Sequence, residues 1–307
     1  MITVESVSKY FGGRAAVDTI SFQANDKEIM VLLGTSGCGK TTTLKMINRL
    51  IESDSGTILI DGENIRNRKI EDLRMSIGFV MQHSGLFPHY TIGRNISVVP
   101  ELLKWNQKDI RRRTEELMDK LHLSGDLLNR FPHELSGGQQ QRVGIARALI
   151  ANTPVLLMDE PFGALDNITK AEIHSEFKSL EELKNKTIVL VTHDVQEAFE
   201  LGHKICLMDK GKIVQIGTPK EMLYHPKNDF VKEFFAESRL LLEYKVAALQ
   251  DLHPYLINEQ QLYDTYKFTR DTSVWAALQT LSADHNNIEW YDTLSKAFSE
   301  YRKLQVA

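Results

Sequence analysis

Three short apolar runs stand out along the chain, and polar or glycine-rich residues follow each of them. They cover Ile29 to Leu33, Val155 to Met158 and Ile188 to Val191. Continuous apolar runs of this length are typical of strands buried on both faces of a parallel sheet. Because open α/β sheets bind ligands beyond the carboxyl ends of their strands, we expect the chemistry in the loops after these runs.

Two further patterns predict elements around this sheet. The helical spacing of Ile110, Leu117, Met118 and Leu121 predicts a mostly helical subdomain over about residues 95–150. Near the start, SVSKYFGGRAAVDTISFQ alternates apolar and polar positions around a Gly-Gly turn, which predicts antiparallel strands at the sheet edge. The expected fold class is α/β, with an antiparallel β edge and a helical insertion.

The composition changes after about residue 240. Residues 241–307 carry ten of the 25 aromatic side chains. Apolar residues recur there at helical intervals, at Val274, Leu278, Leu281, Ile288, Tyr291, Leu294 and Phe298. We therefore predict a first domain over 1–240 and a mainly helical appendage over 241–307, with breaks at Pro254 and at 284–287. The aromatic residues are explained either by a small core packed on the first domain or by a regulatory or dimer-stabilising role.

Net charge, cysteine content and hydropathy indicate which partners and which cell compartment to expect. The 37 basic and 41 acidic side chains give a net charge of −4, so binding to nucleic acid has no electrostatic support. Cys38 and Cys206 have neither metal-ligand spacing nor a disulfide framework, which favours a reducing compartment. No apolar run approaches the ~18 residues of a membrane span, and the first residues lack the apolar core of a signal peptide. We expect the protein in the cytoplasm unless a membrane partner holds it.

The first apolar run leads directly into GTSGCGKT, residues 34–41, and then into a helical pattern that starts at Leu44. A P-loop requires this order of strand, glycine-rich loop and helix. A glycine-rich turn that matches the motif by chance needs no such context, so the order favours a P-loop. Backbone N–H groups of such a loop face the phosphates, Lys40 reaches the β- and γ-phosphates, and Thr41 ligates Mg²⁺. The expected nucleotide contacts are Gly34, Thr35, Ser36, Gly37, Cys38, Gly39, Lys40, Thr41 and Thr42.

Ionisable residues follow the other two apolar runs. Asp159 and Glu160 come directly after the second run, which suggests Mg²⁺ coordination for Asp159 and water activation for Glu160. A helix cap or turn also explains an acidic pair after a strand, but the nearby P-loop favours the catalytic interpretation. The third run ends at Val191 and is followed by Thr192 and His193, which brings an imidazole to the same sheet edge. A lone histidine there is more often structural.

The segment LSGGQQQRVGIARALI, residues 135–150, predicts an amphipathic helix that begins after a serine and two glycines. Ser136, Gly137 and Gly138 therefore form either a simple N-cap or a second anion site at a helix N-terminus. Since the P-loop already binds phosphates within this chain, a second phosphate-binding turn suits a nucleotide held by another copy.

The motifs GTSGCGKT, VMQHSGLFP, LSGGQ, VLLMDEP, GALD and VTHD, in this order, resemble the ATP-binding subunit of an ABC transporter over about residues 1–238. The resemblance implies that two copies face each other head to tail and sandwich two ATP molecules with Mg²⁺. It also implies that Lys40 and Thr41 of one copy meet Ser136, Gly138 and Gln139 of the other across each nucleotide. A P-loop domain with a helical signature subdomain is the fold that it implies.

The same resemblance implies roles for single residues. Gln82 is expected to contact the γ-phosphate and Mg²⁺ and to link the site to the membrane subunit. Glu160 is expected to polarise the attacking water, His193 to contact the γ-phosphate, and Asp166 to couple the two sites. Adenine is expected to stack on Phe11, with Tyr10 as the alternative, while packing within the edge strand is the other explanation for both rings.

A narrower resemblance lies in SGLFPHYTIGRNISVVPELLKW, residues 84–105. The run VVPELLKW in particular is similar to importers of quaternary-ammonium osmoprotectants, namely glycine betaine, choline or carnitine. This implies an integral-membrane permease, indirectly a solute-binding protein, and a location at the cytoplasmic face of the membrane. Members of that group often end in paired sensory domains, and the tail of this chain does not match them.

Three alternatives remain beside an osmoprotectant importer. The first is an importer for another small solute of the amino-acid type. The second, a soluble ABC ATPase of DNA maintenance or translation, is disfavoured because residues 42–134 lack sustained heptads and the chain holds one cassette. The third, a regulatory module without hydrolysis, is disfavoured because Lys40, Glu160 and His193 are all present.

Overall fold

The protein is described by a computed structural model over residues 1–82, 85–163, 167–256, 259–283 and 288–306. Ten strands lie within these ranges: β1 Ile2–Phe11, β2 Arg14–Ala24, β3 Ile29–Gly34, β4 Ser55–Ile60, β5 Glu63–Asn64, β6 Ile77–Val80, β7 Val155–Asp159, β8 Thr187–Thr192, β9 Lys204–Asp209 and β10 Lys212–Gly217.

The α-helices of the same ranges are α1 Lys40–Ile47, α2 Ile70–Met75, α3 Ile92–Leu102, α4 Gln107–Lys120, α5 Gly137–Leu149, α6 Asn167–Ser179, α7 Glu181–Lys184, α8 Val195–Leu201, α9 Pro219–Tyr224, α10 Asp229–Phe234, α11 Arg239–Val246, α12 Glu259–Tyr266, α13 Val274–Ala283 and α14 Ile288–Val306. Short 3-10 helices cover Ile65–Asn67, Gly125–Asn129, Pro132–Glu134 and Leu249–Tyr255. Among the described helices, none combines the length and the apolar character needed to cross a membrane.

The chain divides into two compact units, Met1–Ile216 and Gly217–Ala307. The domain boundary predicted after residue 240 stays a prediction, but it falls inside the second unit. Helix α11 spans that position and packs against both α9 and α13. The second unit therefore includes helices that the predicted appendage leaves out.

A six-stranded sheet in the order β10-β9-β3-β8-β7-β6 forms the centre of the first unit. The strands from β9 to β6 pair in parallel, and β3, β7 and β8 are the three apolar runs of the sequence. Every residue of β7 and β8 is buried, as expected for strands covered on both faces. The parallel pairing aligns the carboxyl ends of neighbouring strands, so that the loops after β3, β8, β7 and β6 meet at one edge.

The antiparallel strands form a sheet of their own, in the order β2-β1-β4-β5. The predicted hairpin is confirmed, and its turn residues Gly12 and Gly13 have φ values of 55° and 78°. We expected this hairpin at the edge of the parallel sheet, but in the structure it belongs to the separate antiparallel sheet. Strand β1 pairs with β2 on one side and β4 on the other, so it has no free edge for a parallel strand. The two sheets instead contribute side chains to one apolar core with helix α1.

The helical subdomain is confirmed and begins slightly earlier than predicted, at α3. It contains α3, α4 and α5 together with two 3-10 helices. The four residues whose spacing predicted it, Ile110, Leu117, Met118 and Leu121, are all buried. Helix α3 packs against both α4 and α5, which makes the subdomain a small bundle beside the sheet.

The second unit is helical, as predicted for the tail. Val274, Leu278, Leu281, Leu294 and Phe298 are buried, whereas Tyr291 is exposed. The fully buried Glu243 accepts a hydrogen bond of 2.8 Å from Arg239 Nε and one of 2.5 Å from Arg302 Nε. Pro254 lies inside the 3-10 helix Leu249–Tyr255 and does not separate two helices. The other predicted break, residues 284–287, lies outside the described residues.

Candidate nucleotide site

The glycine-rich loop between β3 and α1 encloses the ammonium group of Lys40. This group donates hydrogen bonds of 2.9 Å to the carbonyl oxygens of Gly34 and Thr35, and it lies 3.7 Å from Cys38 Sγ. The lysine is 5% exposed, so the loop holds a buried positive charge at the start of a helix. A helix N-terminus with such a charge is suited to phosphate.

Two glycines of this loop are required by geometry. Gly34 and Gly39 have φ values of 152° and 105°, which L side chains rarely adopt. A Cβ atom on Gly34 would lie 2.2 Å from the Met208 carbonyl oxygen, and one on Gly39 would lie 2.5 Å from that of Ala16. The close approach of β9 and β2 therefore fixes both positions as glycine.

The residues expected to hold Mg²⁺ are partly brought together. Thr41 Oγ1 donates a 2.8 Å hydrogen bond to Asp159 Oδ1 at the end of β7. A hydroxyl and a carboxylate oxygen fit Mg²⁺, which prefers oxygen ligands and retains several waters. Gln82, the third expected ligand, donates its side-chain amide to Glu160 instead. Burial raises the pKa of Asp159 against the opposing effect of the Thr41 hydrogen bond.

Two of the expected catalytic residues contact the carboxylate of a third. Gln82 Nε2 donates a 2.9 Å hydrogen bond to Glu160 Oε2, and His193 Nδ1 lies 3.1 Å from Glu160 Oε1. These residues follow three different strands, β6, β7 and β8, which are neighbours in the sheet. The sequence predicted a common edge for Glu160 and His193, and the parallel pairing of β6 with β7 brings Gln82 to the same edge.

The backbone of Glu160 is unusual. Its φ of 46° lies in the left-handed region, which costs a non-glycine residue roughly 1–2 kcal/mol. The Glu160 N–H donates to the Val191 carbonyl oxygen at 2.9 Å, and the Gly163 N–H donates to the Glu160 carbonyl oxygen at 3.2 Å. These bonds turn the chain sharply after β7 and direct the Glu160 side chain toward β8 and β6.

The signature segment begins at a well-formed helix cap. Ser136 Oγ accepts a 3.3 Å hydrogen bond from the Gln139 N–H, and Gln139 Oε1 accepts one of 3.0 Å from the Ser136 N–H. Ser136 and Gly137 are exposed, and Gly138 is partly buried. Within the described residues, no hydrogen bond joins this cap to the P-loop of the same chain.

The remaining expected contacts lie apart from these groups or outside the described residues. Tyr10 and Phe11 are 46% and 51% exposed at the end of β1, and Lys9 Nζ lies 5.5 Å from the centre of the Phe11 ring. Neither ring is buried in a strand interface, and both remain candidates for stacking on adenine. Asp166 lies outside the described residues. Cys38 and Cys206 are free thiols and both are buried.

Comparison with known proteins decides the family. The family model described as "ABC transporter" matches residues 17–163. The Escherichia coli glycine betaine uptake system ATP-binding protein YehX is 48% identical over 261 residues, which are 85% of this chain and 84% of that protein. The chain belongs to the ABC transporter family.

Two further relatives bear on this ABC subunit. The Bacillus subtilis glycine betaine/carnitine/choline transport ATP-binding protein OpuCA is 53% identical over 242 residues, which are 78% of this chain but only 64% of that protein. A dimeric post-hydrolysis structure of the ATP-binding cassette MJ0796, bound to ADP and Pi, aligns with a TM-score of 0.65 and 33% identity over 71% of this chain and 98% of that one. Cassettes of this family bind ATP, normally with Mg²⁺, and form dimers.

Sequence reasoning missed a group of residues behind the site of this ABC subunit. Asp194 accepts a 3.0 Å hydrogen bond from Lys170 Nζ and caps α8 by accepting from the Gln196 N–H. Thr192 Oγ1 accepts a 2.9 Å hydrogen bond from the Asp194 N–H and lies 3.2 Å from Glu197 Oε2. A capping pattern at Asp194 was readable in the sequence, but the burial of Glu197 depends on packing that a single helix pattern does not reveal.

Proposed function

We propose that this chain hydrolyses ATP as one half of a head-to-tail dimer, and that hydrolysis powers an importer of quaternary-ammonium osmoprotectants such as glycine betaine, choline or carnitine. The observation that carries the catalytic part is the contact of Gln82 and His193 with the two oxygens of Glu160, at 2.9 and 3.1 Å. The P-loop that precedes α1 supplies the phosphate-binding half of the same edge.

The described contacts support a division of labour in hydrolysis. Lys40 is buried among carbonyl oxygens and exchanges these for β- and γ-phosphate oxygens when ATP binds. Thr41 and Asp159 would hold Mg²⁺, which would neutralise negative charge on the phosphates. Each Glu160 oxygen has a second lone pair, with which Glu160 orients the attacking water and accepts its proton. His193, whose side chain is 56% exposed, contacts the γ-phosphate.

The dimer completes the site. The helix cap at the start of α5 binds the nucleotide that the P-loop of the other copy holds, through Ser136, Gly137, Gly138 and Gln139. In the part of the chain that the structure describes, no hydrogen bond joins this cap to the P-loop of its own chain. Asp166 couples the two sites, and Phe11 or Tyr10 stacks on adenine. The dimeric structure of MJ0796 supports this arrangement, because 98% of that cassette is covered by this chain.

The choice of cargo rests on relatives and not on a contact of this chain. Three proteins named for glycine betaine, carnitine or choline transport are 48 to 53% identical to it. We therefore place the subunit at the cytoplasmic face of the membrane, held by a permease that receives solute from a binding protein. Residues 1–240 act as the ATP-binding domain and residues 241–307 as an appendage. An importer for another small solute is the alternative.

Reconstitution in vesicles with a candidate osmoprotectant permease and its solute-binding protein tests the proposal. We expect ATP turnover to rise when glycine betaine, choline or carnitine is added with the binding protein, and not when an amino acid is added. Stimulation by the amino acid alone would support the alternative cargo. No turnover under any condition would reject the ATPase assignment.

Glu160→Gln tests the catalytic role within the same assembly. The amide preserves size but accepts no proton, so we expect turnover to fall by about 10²- to 10⁴-fold while ATP binding persists. A dimer that is stable only with ATP should accumulate on gel filtration. Turnover near that of the unaltered protein, with monomer alone on the column, would show that Glu160 does not have this role.

A further inference from the structure

Glu197 is a buried acid directly behind the catalytic edge. It lies in the first turn of α8, four residues after His193, and only 1% of it is exposed. Helix α8 packs against β3, β8 and α6, which cover it from several directions. A carboxyl group this deeply buried is costly unless hydrogen bonds or opposite charges compensate for the lost water.

The hydrogen bonds of Glu197 lead to the chain around His193. Its Oε2 lies 3.2 Å from Thr192 Oγ1, and Thr192 Oγ1 accepts a 2.9 Å hydrogen bond from the Asp194 N–H. The Glu197 N–H in turn donates to Asp194 Oδ1 at 3.2 Å. These three bonds close a ring around the turn that presents His193 to Glu160.

The surroundings of Glu197 favour a neutral carboxyl. Its Oε1 is buried and has no hydrogen-bond partner within the described residues, and no cation there forms an ion pair with it. The positive charge of Lys170, which acts on Glu197, forms its ion pair with Asp194 at 3.0 Å. Burial and the negative charges of Asp194 and Glu160 raise the pKa of Glu197 to about 8, against weaker opposing effects of Thr192 and Lys170.

The other elements packed around α8 place no further charge that would favour the ionised form of Glu197. Strands β3 and β8, with the sequences IMVLLG and TIVLVT, contain no titratable side chain. Helix α6 contributes Lys170 and His174, and His174 Nδ1 lies 2.8 Å from Glu200 at the far end of α8. Burial acts to raise the pKa of Asp194, but the hydrogen bond from Lys170 lowers it overall, so Asp194 is the ionised member of the pair.

We propose that Glu197 is a positioning residue for ATP hydrolysis, whose neutral carboxyl accepts the hydrogen bond of the Thr192 hydroxyl and thereby holds His193 against Glu160. The Thr192 hydroxyl is both donor and acceptor, so it donates to the Glu197 carboxyl and accepts from the Asp194 N–H. Loss of the carboxyl proton leaves a buried anion that the Asp194 carboxylate repels, and this repulsion loosens the ring. The inference rests on the proposed ATPase function and adds to it an internal limit on turnover at alkaline pH.

The test compares pH profiles of ATP turnover between pH 6 and 10 for the full chain and its variants. We expect turnover of the unaltered protein to decline as the pH rises through about 8. Glu197→Gln keeps the size and an uncharged oxygen that accepts from Thr192 at every pH, so it should retain turnover at pH 7 and lack this decline. Glu197→Ala removes the bond and should lower kcat by about tenfold or more, with little change in KM for ATP.

Substitutions of Thr192 test the same ring from its other side. Thr192→Val keeps the shape but removes the hydroxyl, so it should lower kcat like Glu197→Ala, whereas Thr192→Ser should restore it. Thr187→Val, the same change at the opposite end of β8, is the matched control and should leave the pH profile unchanged. If Glu197→Gln lowers the melting temperature and leaves the alkaline decline in place, Glu197 is only structural and the inference fails.

A readout independent of turnover separates this inference from the ATPase proposal. In protein labelled with ¹³C at glutamate carboxyls, the resonance lost in Glu197→Gln should titrate near pH 8. A resonance that is already ionised at pH 6 would overturn the inference even if ATP is hydrolysed. Titration near pH 8 in a protein that hydrolyses no ATP would reject the ATPase proposal instead, while the neutral state of Glu197 would stand.

Discussion

Thr41 and Asp159 are joined by a 2.8 Å hydrogen bond across 118 positions of the sequence. The bond links the first turn of α1 to the carboxyl end of β7, so that the phosphate-binding loop and the acidic strand end form one unit. Asp159 is 4% exposed, and a carboxylate in such a place needs a partner. Thr41 provides that partner in the protein alone, and both oxygens are available to a magnesium ion that arrives with ATP.

Thr41→Val should therefore impair the use of Mg²⁺ more than the fold. We expect MgATP turnover to fall by about tenfold or more, with a higher Mg²⁺ concentration needed for half-maximal rate. Thr43→Val is the matched control, because the Thr43 hydroxyl donates to the carbonyl oxygen of Gly39, the N-cap of the same helix. It should cost about 1 kcal/mol of stability and leave the Mg²⁺ requirement unchanged. Equal Mg²⁺ dependence in both variants would argue against Thr41 as a ligand.

The division of each nucleotide site between two chains is tested by mixing two inactive variants. Lys40→Ala removes the charge that faces the phosphates, and Ser136→Ala removes the hydroxyl at the start of α5. A dimer of one chain of each kind has one intact composite site and one that is doubly altered. We expect each variant alone to be nearly inactive, and a mixture to regain up to about a quarter of normal turnover if the chains pair at random and each intact site works alone.

The recovery of turnover in the mixture distinguishes nucleotide sites shared between two chains from sites within one chain. Sites that lie wholly within one chain would give no recovery at any mixing ratio. A mixture of Lys40→Ala with a second Lys40 variant, Lys40→Met, is the control, since no pairing of these chains has an intact P-loop. Recovery in that control would mean that the assay reports something other than composite sites.

Lys186 predicts how stability depends on pH. It is 2% exposed, and its Nζ donates hydrogen bonds of 2.9 Å to Asn152 Oδ1 and 2.5 Å to the Thr153 carbonyl oxygen. Burial, with repulsion from Arg113, lowers the pKa of Lys186 from 10.5 to about 8. The unfolded chain thus binds more protons than the folded one between these values, so this group adds stability as the pH rises from about 8 to 10.5.

Lys186→Met should remove that rise. Each unit of pKa shift corresponds to about 1.4 kcal/mol, so we expect the pH-dependent contribution to amount to a few kcal/mol. Urea unfolding of the full chain at pH 7.5 and pH 10 measures it, as a difference from Lys184→Met, an exposed lysine two residues away. If the two variants show the same change between these pH values, Lys186 does not titrate in this range.

The part of the catalytic edge that carries Thr41, Asp159 and His193 could be predicted because these residues lie at or shortly after the ends of three strands with a clear apolar pattern. Once β3, β7 and β8 are parallel neighbours, Thr41, Asp159 and His193 must share an edge. The separate antiparallel sheet escaped prediction because it depends on pairing between β1 and β4, where Ile2 lies opposite Ile60. A local alternation of apolar and polar residues does not specify such a distant partner.

The burial of two ionisable residues also could not be predicted from the sequence. Glu197 lies on a short helix, and Lys186 directly precedes a strand, positions at which charged residues usually face solvent. Their burial arises from the packing of α8 against β3, β8 and α6 and from the contact of Lys186 with Asn152. The boundary at residue 240 was placed by a change in composition, whereas the second unit is held together by contacts of α11 on both of its sides.

The second unit gives a prediction about where the chain tolerates truncation. The described catalytic residues lie within Met1–Ile216, so a chain that ends at Gly217 should bind ATP and retain turnover within about twofold of normal. A chain that ends at Ser238 keeps α9 and α10 but loses α11, whose Arg239 Nη2 donates to the Leu223 carbonyl oxygen. It also loses Leu242, which is fully buried. We therefore expect the longer fragment to be the less soluble of the two and to melt at a lower temperature.

Comparison of the Gly217 truncation with the full chain then separates a structural tail from a regulatory one. If residues 218–307 only form a packed helical unit, the turnover of both proteins should respond equally to ionic strength, and both should form the same amount of dimer without nucleotide. If they regulate the subunit, the truncated protein should keep its basal turnover but lose the response to ionic strength or dimerise less readily. Loss of basal turnover on truncation at Gly217 would contradict both expectations, because it would make the second unit part of the catalytic machinery. Light scattering measures dimer formation, and ATP turnover at roughly 50 to 500 mM salt measures the response to ionic strength. Surface electrostatics are screened over about this range of salt concentration.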